Sequence, residues 1–390
     1  MTQKILQVPY GTRDFLPGEA KAKKIIENSL MKIFDIWGYA QVETPTLEYL
    51  DTFAVAGQAS VDNFQFFDRD NRILTMRSDM TTPLARMVAT RLPEASLQRL
   101  FYLSQVFRHE EAQAGRQCEF TQAGIEMMGA SGASADAEVV ALAIKALQET
   151  GLPNFTISMG HIKFIEGLAE EAQFTVEQTL ALKRCLITHN AVELDNLLAA
   201  TRVEGKIASV LRRLLFLHGG VELLQDMQGL VDNAKSRNAL QNLLTIYSLC
   251  ESYGVASYIS FDLSLLRSFD YYTGMIFEGY TPGMGYSICG GGRYDSMMAS
   301  FGRECPATGF SLGIDRIMLA LKRNTSVDNK AEFAYLVAYS EGKLNEAIAA
   351  AMELRTQGVS AKLAEQALEQ DEAEDALATN DCCRCLYIGK

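Results

Sequence analysis

The stretch RHEEAQAGRQCEFTQAGIEMMG, Arg108–Gly129, sets a glutamine and a glutamate within what reads as an apolar strand. Alternation places Cys118, Phe120, Gln122, Gly124, Glu126 and Met128 on one side of that strand. Gln122 and Glu126 then stand about 13 Å apart along the face, and Gly124 between them removes a side chain and leaves room. Burying an amide and a carboxylate costs several kcal/mol unless each finds a partner. A polar, partly cationic ligand supplies such partners, and an α-amine or an imidazole suits Glu126. The same alternation also fits the solvent side of an antiparallel sheet.

Two further stretches carry arginines beside small or aromatic residues. LLRSFDYYTGMIFEGY places Arg267, Asp270, Tyr271 and Tyr272 between apolar strands. GGGRYDSM, followed by PATGFSLGIDRIMLAL, adds a glycine-rich turn and Arg316 at the opening of a helix. Singly, each arginine reads as a surface residue or an ion-pair partner. Jointly, Arg108, Arg116, Arg267 and Arg316 describe an anion-binding cleft whose guanidinium forks match phosphate. GGGR is no phosphate-binding P-loop, since GxxxxGK[ST] is absent; its glycines fit a tight turn or a close ligand approach. Of the four histidines, only His109 lies beside these stretches, and none has the spacing of a metal site or a triad.

The elements that must position these groups follow from periodicity. Residues 18–37 have helical apolar spacing and stop at Gly38. YAQVETPTLEYLD reads as a strand carrying Glu43, then a Pro turn. FQFFDRDNRILTMR reads as a hairpin turning at DRDN. A helix follows Asp79, with Pro83 in its first turn. Strands then run to Met128, and helix returns over ADAEVVALAIKALQET. The stretch from 165 to about 250 is helical and reads as an insertion between two halves of a sheet domain. KRNTSVDNK, 322–330, is a linker, and beyond it strand and helix alternate as a small α/β unit.

At 390 residues and 48% hydrophobic content the chain suits two or three domains with a substantial core. No apolar run approaches the roughly 20 residues of a membrane span, and the N-terminus lacks a signal peptide, so a soluble cytoplasmic protein is expected. The eight cysteines are scattered, and neither disulfides nor a metal are expected. A net charge of −12 argues against a broad nucleic-acid surface.

In order and over nearly its whole length, the chain resembles the class II aminoacyl-tRNA synthetases, specifically histidyl-tRNA synthetase. YGTRDFLPGE is similar to that family's N-terminal signature, FRHEEAQAGRQCEF to its ATP-binding motif 2, LLRSFDYY to its histidine-specific arginine motif and GFSLGIDR to its motif 3. The resemblance implies an α+β fold with a six-stranded antiparallel sheet core flanked by helices, spanning 1–322 with the insertion inside it. A truncated anticodon-binding-like α/β domain follows over 331–390. It implies a dimer built through the N-terminal helix and strand. It also implies that Asp79, Thr81, Arg108, Gln122, Glu126, Arg267, Tyr271 and Tyr272 surround histidine, and that Arg108, Arg116, Phe120 and Arg316 surround a nucleotide, with Phe120 on the adenine.

The departures shape the functional reading. Where the synthetases carry Arg-Pro-Glu-Gly-Thr, this chain has RSDMTTP, so Asp79 draws a carboxylate back by a methylene and Met80 fills space that glycine left open. Cys118 stands at the second arginine of motif 2, Thr121 at its histidine, and Asp315 at the glutamate of motif 3. Losing a phosphate-facing cation weakens stabilisation of a transferring phosphate. From Ala331 onward 11 Asp/Glu face 5 Lys/Arg, a poor partner for transfer RNA. This set resembles the regulatory subunits of short-form ATP phosphoribosyltransferase, whose signature Arg-Pro-Asp-Met-Thr-x-Pro is close to RSDMTTP. That resemblance implies a non-catalytic, cofactor-free protein that binds short catalytic subunits in a hetero-octamer. It would be needed for their activity and would transmit histidine feedback on the first step of histidine biosynthesis. An active histidyl-tRNA synthetase with a shortened C-terminus is the alternative, and a stand-alone enzyme activating another amino acid is a third reading.

Overall fold

Helical spacing over 18–37 becomes α1 (Pro17–Ile36). Its Ile26, Leu30 and Phe34 are buried, and the helix gives way to Gly38 at φ +79°, a left-handed position that glycine occupies without strain. The structure, a computed structural model, describes residues 6–57, 62–92, 97–110, 117–266, 271–324, 333–379 and 382–389. The chain divides into two compact units, Met1–Arg13 with Ile26–Ser326, and Asp14–Ile25 with Val327–Lys390.

The first unit opens with β1 (Ala40–Gln41), β2 (Leu47–Tyr49), α2 (Leu50–Val55), β3 (Gln65–Phe67) and β4 (Ile73–Met76). The expected strand through Glu43 is only two residues long, and Glu43 lies beyond it. Pro45 has no N–H to donate to a ladder, and the carbonyls of Thr44 and Pro45 accept instead from the Arg77 guanidinium, at 2.7 and 3.3 Å. β3 and β4 form the expected hairpin, joined to β2 in an antiparallel sheet ordered β2-β4-β3. Its turn is held by Asp68, which accepts from the backbone of Asp70 and Arg72, with Asn71 in the left-handed region. Asp79 then opens α3 (Thr81–Arg91), its carboxylate accepting the Thr82 N–H at 2.8 Å.

The main sheet is assembled from β5 (Gln98–Phe107), β6 (Glu119–Met128), β7 (Thr156–His161), β8 (His218–Gly219), β9 (Ile259–Asp262), β10 (Met275–Tyr280), β11 (Cys289–Arg293) and β12 (Ala307–Gly313), together with β1. Its order is β1-β5-β6-β12-β11-β10-β7-β9-β8. The six strands from β5 through β7 in that order pair antiparallel throughout. At the flanks β1 runs parallel to β5 and β9 parallel to β7, so the whole sheet is mixed and wider than the six strands expected. The glycine run GGGR is not a turn. Gly290, Gly291 and Gly292 lie inside β11, and a Cβ on Gly291 would overlap the Gly309 carbonyl of β12; glycine is needed here by strand-to-strand approach. Between β6 and β7, α4 (Ala133–Glu149) buries an unbroken apolar surface that includes Val139, Val140, Leu142, Ile144 and Leu147. Between β7 and β9 come α5 (Ile162–Glu171), α6 (Val176–Ile187), α7 (Ala191–Thr201), α8 (Gly205–Leu214), α9 (Glu222–Gln228) and α10 (Ala234–Ser252). α11 (Met297–Ser300) and α12 (Ile314–Asn324) complete the unit.

The C-terminal part of the second unit alternates β13 (Phe333–Tyr339), α13 (Leu344–Thr356), β14 (Ala361–Leu363), α14 (Gln370–Thr379) and β15 (Cys382–Ile388). The strands are parallel in the order β14-β13-β15, which requires the helical crossovers the sequence supplies. Leu336, Val337, Ala338, Ala347 and Ala351 form its core. All eight cysteines are free thiols. Among the described residues no cluster of three or more His, Cys, Asp or Glu could hold a metal, and no helix is long and apolar enough to cross a membrane.

Candidate functional site

The face of β6 carrying Gln122 and Glu126 opens into a cavity of about 270 Å³, not onto solvent. The start of α3 and the two residues before it bring Asp79, Met80 and Thr81 to it, β5 and the residue after it bring Tyr102 and Arg108, and β12 with α12 brings Phe310 and Arg316. Tyr271, Tyr272 and Tyr294 line it as well. Asp79, Thr81, Arg108, Gln122, Glu126, Tyr271, Tyr272, Phe120 and Arg316 therefore meet around one space, although they come from segments up to 237 positions apart in the chain. Arg267 and Arg116 lie outside the described residues. Asp270, singled out beside Arg267, does too.

Glu126 is 2% exposed and its two oxygens accept from different elements. Thr81 Oγ1 donates to Oε1 at 2.8 Å, and the Tyr294 hydroxyl donates to Oε2. Burial raises its pKa to about 8, the hydroxyl donors partly offset this, and the Asp79 charge adds to the rise. Asp79 is itself buried and its pKa is raised by desolvation, against the lowering effect of the Thr82 N–H and of Arg108. Two desolvated carboxyl groups facing one cavity make an environment for a cationic ligand group. Around them stand aromatic rings: Tyr271 lies 4.6 Å from Tyr272 and 5.7 Å from Tyr294, centroid to centroid.

Room for the ligand is made differently from what the strand pattern implies. The space above Gly124 is filled by Tyr102, whose ring and hydroxyl a Cβ there would strike, along with the Phe310 carbonyl. The glycine that frees Glu126 is Gly309 on β12, paired directly with it. A Cβ on Gly309 would overlap Glu126 Oε2 and the Ile125 carbonyl. Gly309→Ala is expected to push the carboxyl group off Tyr294 and to destabilise the chain by about 1–3 kcal/mol, as overpacking does. Urea denaturation checks this; a variant as stable as the wild type would contradict this packing.

The other end of the cavity is cationic but incomplete as a phosphate site. Arg108 lies 5.1 Å over the Phe120 ring and 4.0 Å from a Glu110 oxygen. Arg316 donates to the Ser287 carbonyl at 2.7 Å and stacks 4.9 Å over Tyr286. Cys118, at the position of the second motif 2 arginine, is buried, and a Cβ on Gly11 would run into its sulfur. Asp315 accepts the Thr121 N–H at 2.9 Å and lies 3.8 Å from Arg13, so it ties α12 to β6. His109 stacks on Phe64 at 3.8 Å, and His161 is a buried helix cap whose pKa falls to about 3, chiefly through desolvation.

Tyr102, Glu278, Tyr294 and Gly309 are site residues that the sequence pattern does not single out. Tyr294 sits directly after GGGR, 168 positions from Glu126; only the register of β11 against β12 and β12 against β6 brings it across the sheet.

Residues 11–317 match the family model described as histidyl-tRNA synthetase. An ATP phosphoribosyltransferase regulatory subunit of Moorella thermoacetica is 38% identical over 371 residues, 94% of either chain. One from Symbiobacterium thermophilum is 40% identical over 92% of this chain and 90% of its own. Among solved structures, a Bacillus halodurans protein described as an ATP phosphoribosyltransferase regulatory subunit/histidyl-tRNA synthetase superposes with a TM-score of 0.87 at 34% identity, covering 99% of both chains. The histidyl-tRNA synthetase of Nostoc sp. PCC 7120 has a TM-score of 0.84 at 19% identity over 99% of this chain and 92% of its own, a likeness of fold. With a class II synthetase-like α+β fold and whole-length identity of this order, the chain belongs to the family of ATP phosphoribosyltransferase regulatory subunits.

Proposed function

We propose that this chain is the non-catalytic regulatory subunit of a short-form ATP phosphoribosyltransferase, a glycosyltransferase complex. It supports the catalytic subunit and conveys histidine feedback in the first step of histidine biosynthesis. Histidine is the ligand of the cavity, held by Asp79, Thr81, Arg108, Gln122, Glu126, Arg267, Tyr271 and Tyr272. Arg108, Arg116, Phe120 and Arg316 are the remnant of a nucleotide site. The working assembly is cytoplasmic and hetero-octameric, containing dimers of this chain. It uses no cofactor and no transfer RNA, and residues 1–322 and 331–390 act as its two domains.

One observation carries the reading: the amino-acid end of the cavity keeps the buried acids Asp79 and Glu126 with amide and hydroxyl groups beside them, while the phosphate end has a buried thiol where the synthetase motif has a guanidinium. A site that grips an amino acid without steering a phosphoryl transfer is suited to sensing. Histidine inhibits at a distance only through differential affinity for two states of the complex.

Reconstitution tests this. Adding the chain to a short-form catalytic subunit should raise phosphoribosyl-ATP formation and make it sensitive to histidine, while ATP–pyrophosphate exchange with histidine stays at background. Unchanged rate and histidine response would refute the regulatory role, and brisk exchange would favour an active synthetase.

A further inference from the structure

The carboxyl cluster at the base of the cavity has a consequence for regulation, and it rests on the reading of the cavity as a histidine site. Glu126 and Asp79 are both nearly inaccessible, at 2% and 8% exposure, and both line the same space. Among the described residues, the groups around Glu126 come from several elements. β5 offers Tyr102, the start of α3 offers Asp79 and Thr81, and the segment after β11 offers Tyr294. Its partner on β12 is a glycine, Gly309. Tyr271 packs against Tyr294 behind it. Of these, Tyr102 and Tyr294 are held neutral, because burial lifts both well above the ordinary phenol range. Of the described cations of the cavity, Arg316 is engaged at its other end with Ser287 and Tyr286, while Arg108, beside Phe120 and Glu110, also favours the charged form of Asp79.

We infer that the empty cavity holds a proton on Glu126 and that entry of an amino-acid cation expels it. In the acid form Glu126 spares the cavity a second buried negative charge beside Asp79. When an ammonium or imidazolium group that arrives already charged comes against it, the Glu126 O–H bond breaks and the proton leaves to solvent. The carboxylate left behind accepts the ligand N–H while retaining the hydroxyl donors Thr81 and Tyr294, both of which suit an ionised oxygen. The raised pKa of Glu126, about 8, places this exchange across the physiological range. Feedback by histidine would then strengthen as pH rises, because each ligand bound displaces one proton.

The experiment is calorimetric titration of the full chain with L-histidine at about pH 7.5, where the free imidazole is mostly neutral, in phosphate and in Tris. Their ionisation enthalpies differ widely, so the difference in observed heat counts protons. The expected result is release approaching one proton per histidine, with affinity rising by up to about tenfold per pH unit below the carboxyl pKa. Glu126→Gln should bind more weakly and release no proton. Three outcomes overturn the inference. Binding whose heat does not depend on buffer means that no proton reaches solvent, because Glu126 passes it to the neutral imidazole or never held it, and leaves the histidine reading intact. Release of the same size from Glu126→Gln assigns the proton to another group. Absence of both heat and thermal stabilisation with histidine removes the histidine reading and this inference together.

Discussion

Glu126→Gln should weaken histidine binding by about 1.5–3 kcal/mol, the range for a hydrogen bond to a charged group, or roughly 10- to 150-fold in Kd. Gln replaces Glu without changing shape, and the Thr81 and Tyr294 hydroxyls that now donate to Glu126 can turn to satisfy an amide. The loss therefore reports charge, not collapse of the cavity. It should grow with pH, since above the Glu126 pKa of about 8 the wild-type carboxylate is ionised before the ligand arrives. Stability should move the other way. The folded pKa of Glu126 lies above its unfolded value of 4.5, so folding is favoured most below that value, and the contribution is lost as pH rises through about 8. Replacing the carboxyl group removes this slope. Denaturation midpoints for the variant should match wild type near pH 5 and exceed it near pH 9, by as much as a few kcal/mol. Histidine calorimetry and urea titration across that range check both halves. Equal affinity for the two proteins at high pH would take Glu126 out of the ligand site.

Alternation alone was enough to put Gln122 and Glu126 on one face of β6, and a helix start at Asp79 was legible from the residues that follow it. Both depend on local spacing, which a sequence displays directly. What alternation leaves open is which face of an antiparallel strand meets water, and the cavity over β6 decides that. The glycines show where local reasoning ends. Gly124 looks like an opening, yet Tyr102 from the neighbouring strand occupies it. GGGR looks like a turn, yet it is the place where β11 lies tight against β12. In both cases the need for a missing side chain is set by a residue far away in sequence. The same holds for Tyr294, whose link to Glu126 exists only once the strand order β6-β12-β11 is fixed. Glu43 failed for a different reason: Pro45 and the Arg77 guanidinium claim the backbone that a longer strand would have used.

Arg293→Met is expected to destabilise the first unit by about 3–5 kcal/mol, the cost of removing one member of a buried ion pair. Arg293 ends β11, is 7% exposed, and donates to Asp136 from Nε at 3.0 and 3.1 Å. A further Nη2–Asp136 contact at 2.8 Å and an Nη1 bond to Asp295 at 2.9 Å complete the fork. Asp136 in the first turn of α4 is 1% exposed and its pKa is pushed up by burial, so without Arg293 it would be left as an uncompensated buried acid. The double variant Arg293→Met with Asp136→Leu should recover part of the loss, because apolar replacement of both members lifts the desolvation penalty; Asp295 and the carbonyls of Ala130 and Gly132 would still lose their donor. The pair also bears on the site. Arg293 immediately precedes Tyr294, and Asp295, which follows it, accepts the Ala307 N–H at 3.1 Å. Tyr294 is thus clamped on both sides, which is what lets a single phenol hold Glu126 in place across the sheet. The clamp predicts a specific ordering in urea and calorimetric titrations. Arg293→Met should lose both stability and histidine affinity, whereas Tyr294→Phe should lose mainly affinity, since it removes one hydroxyl and leaves the ion pair intact. If Arg293→Met binds histidine as tightly as wild type while unfolding at lower urea, the pair anchors α4 to the sheet and does nothing to orient Tyr294.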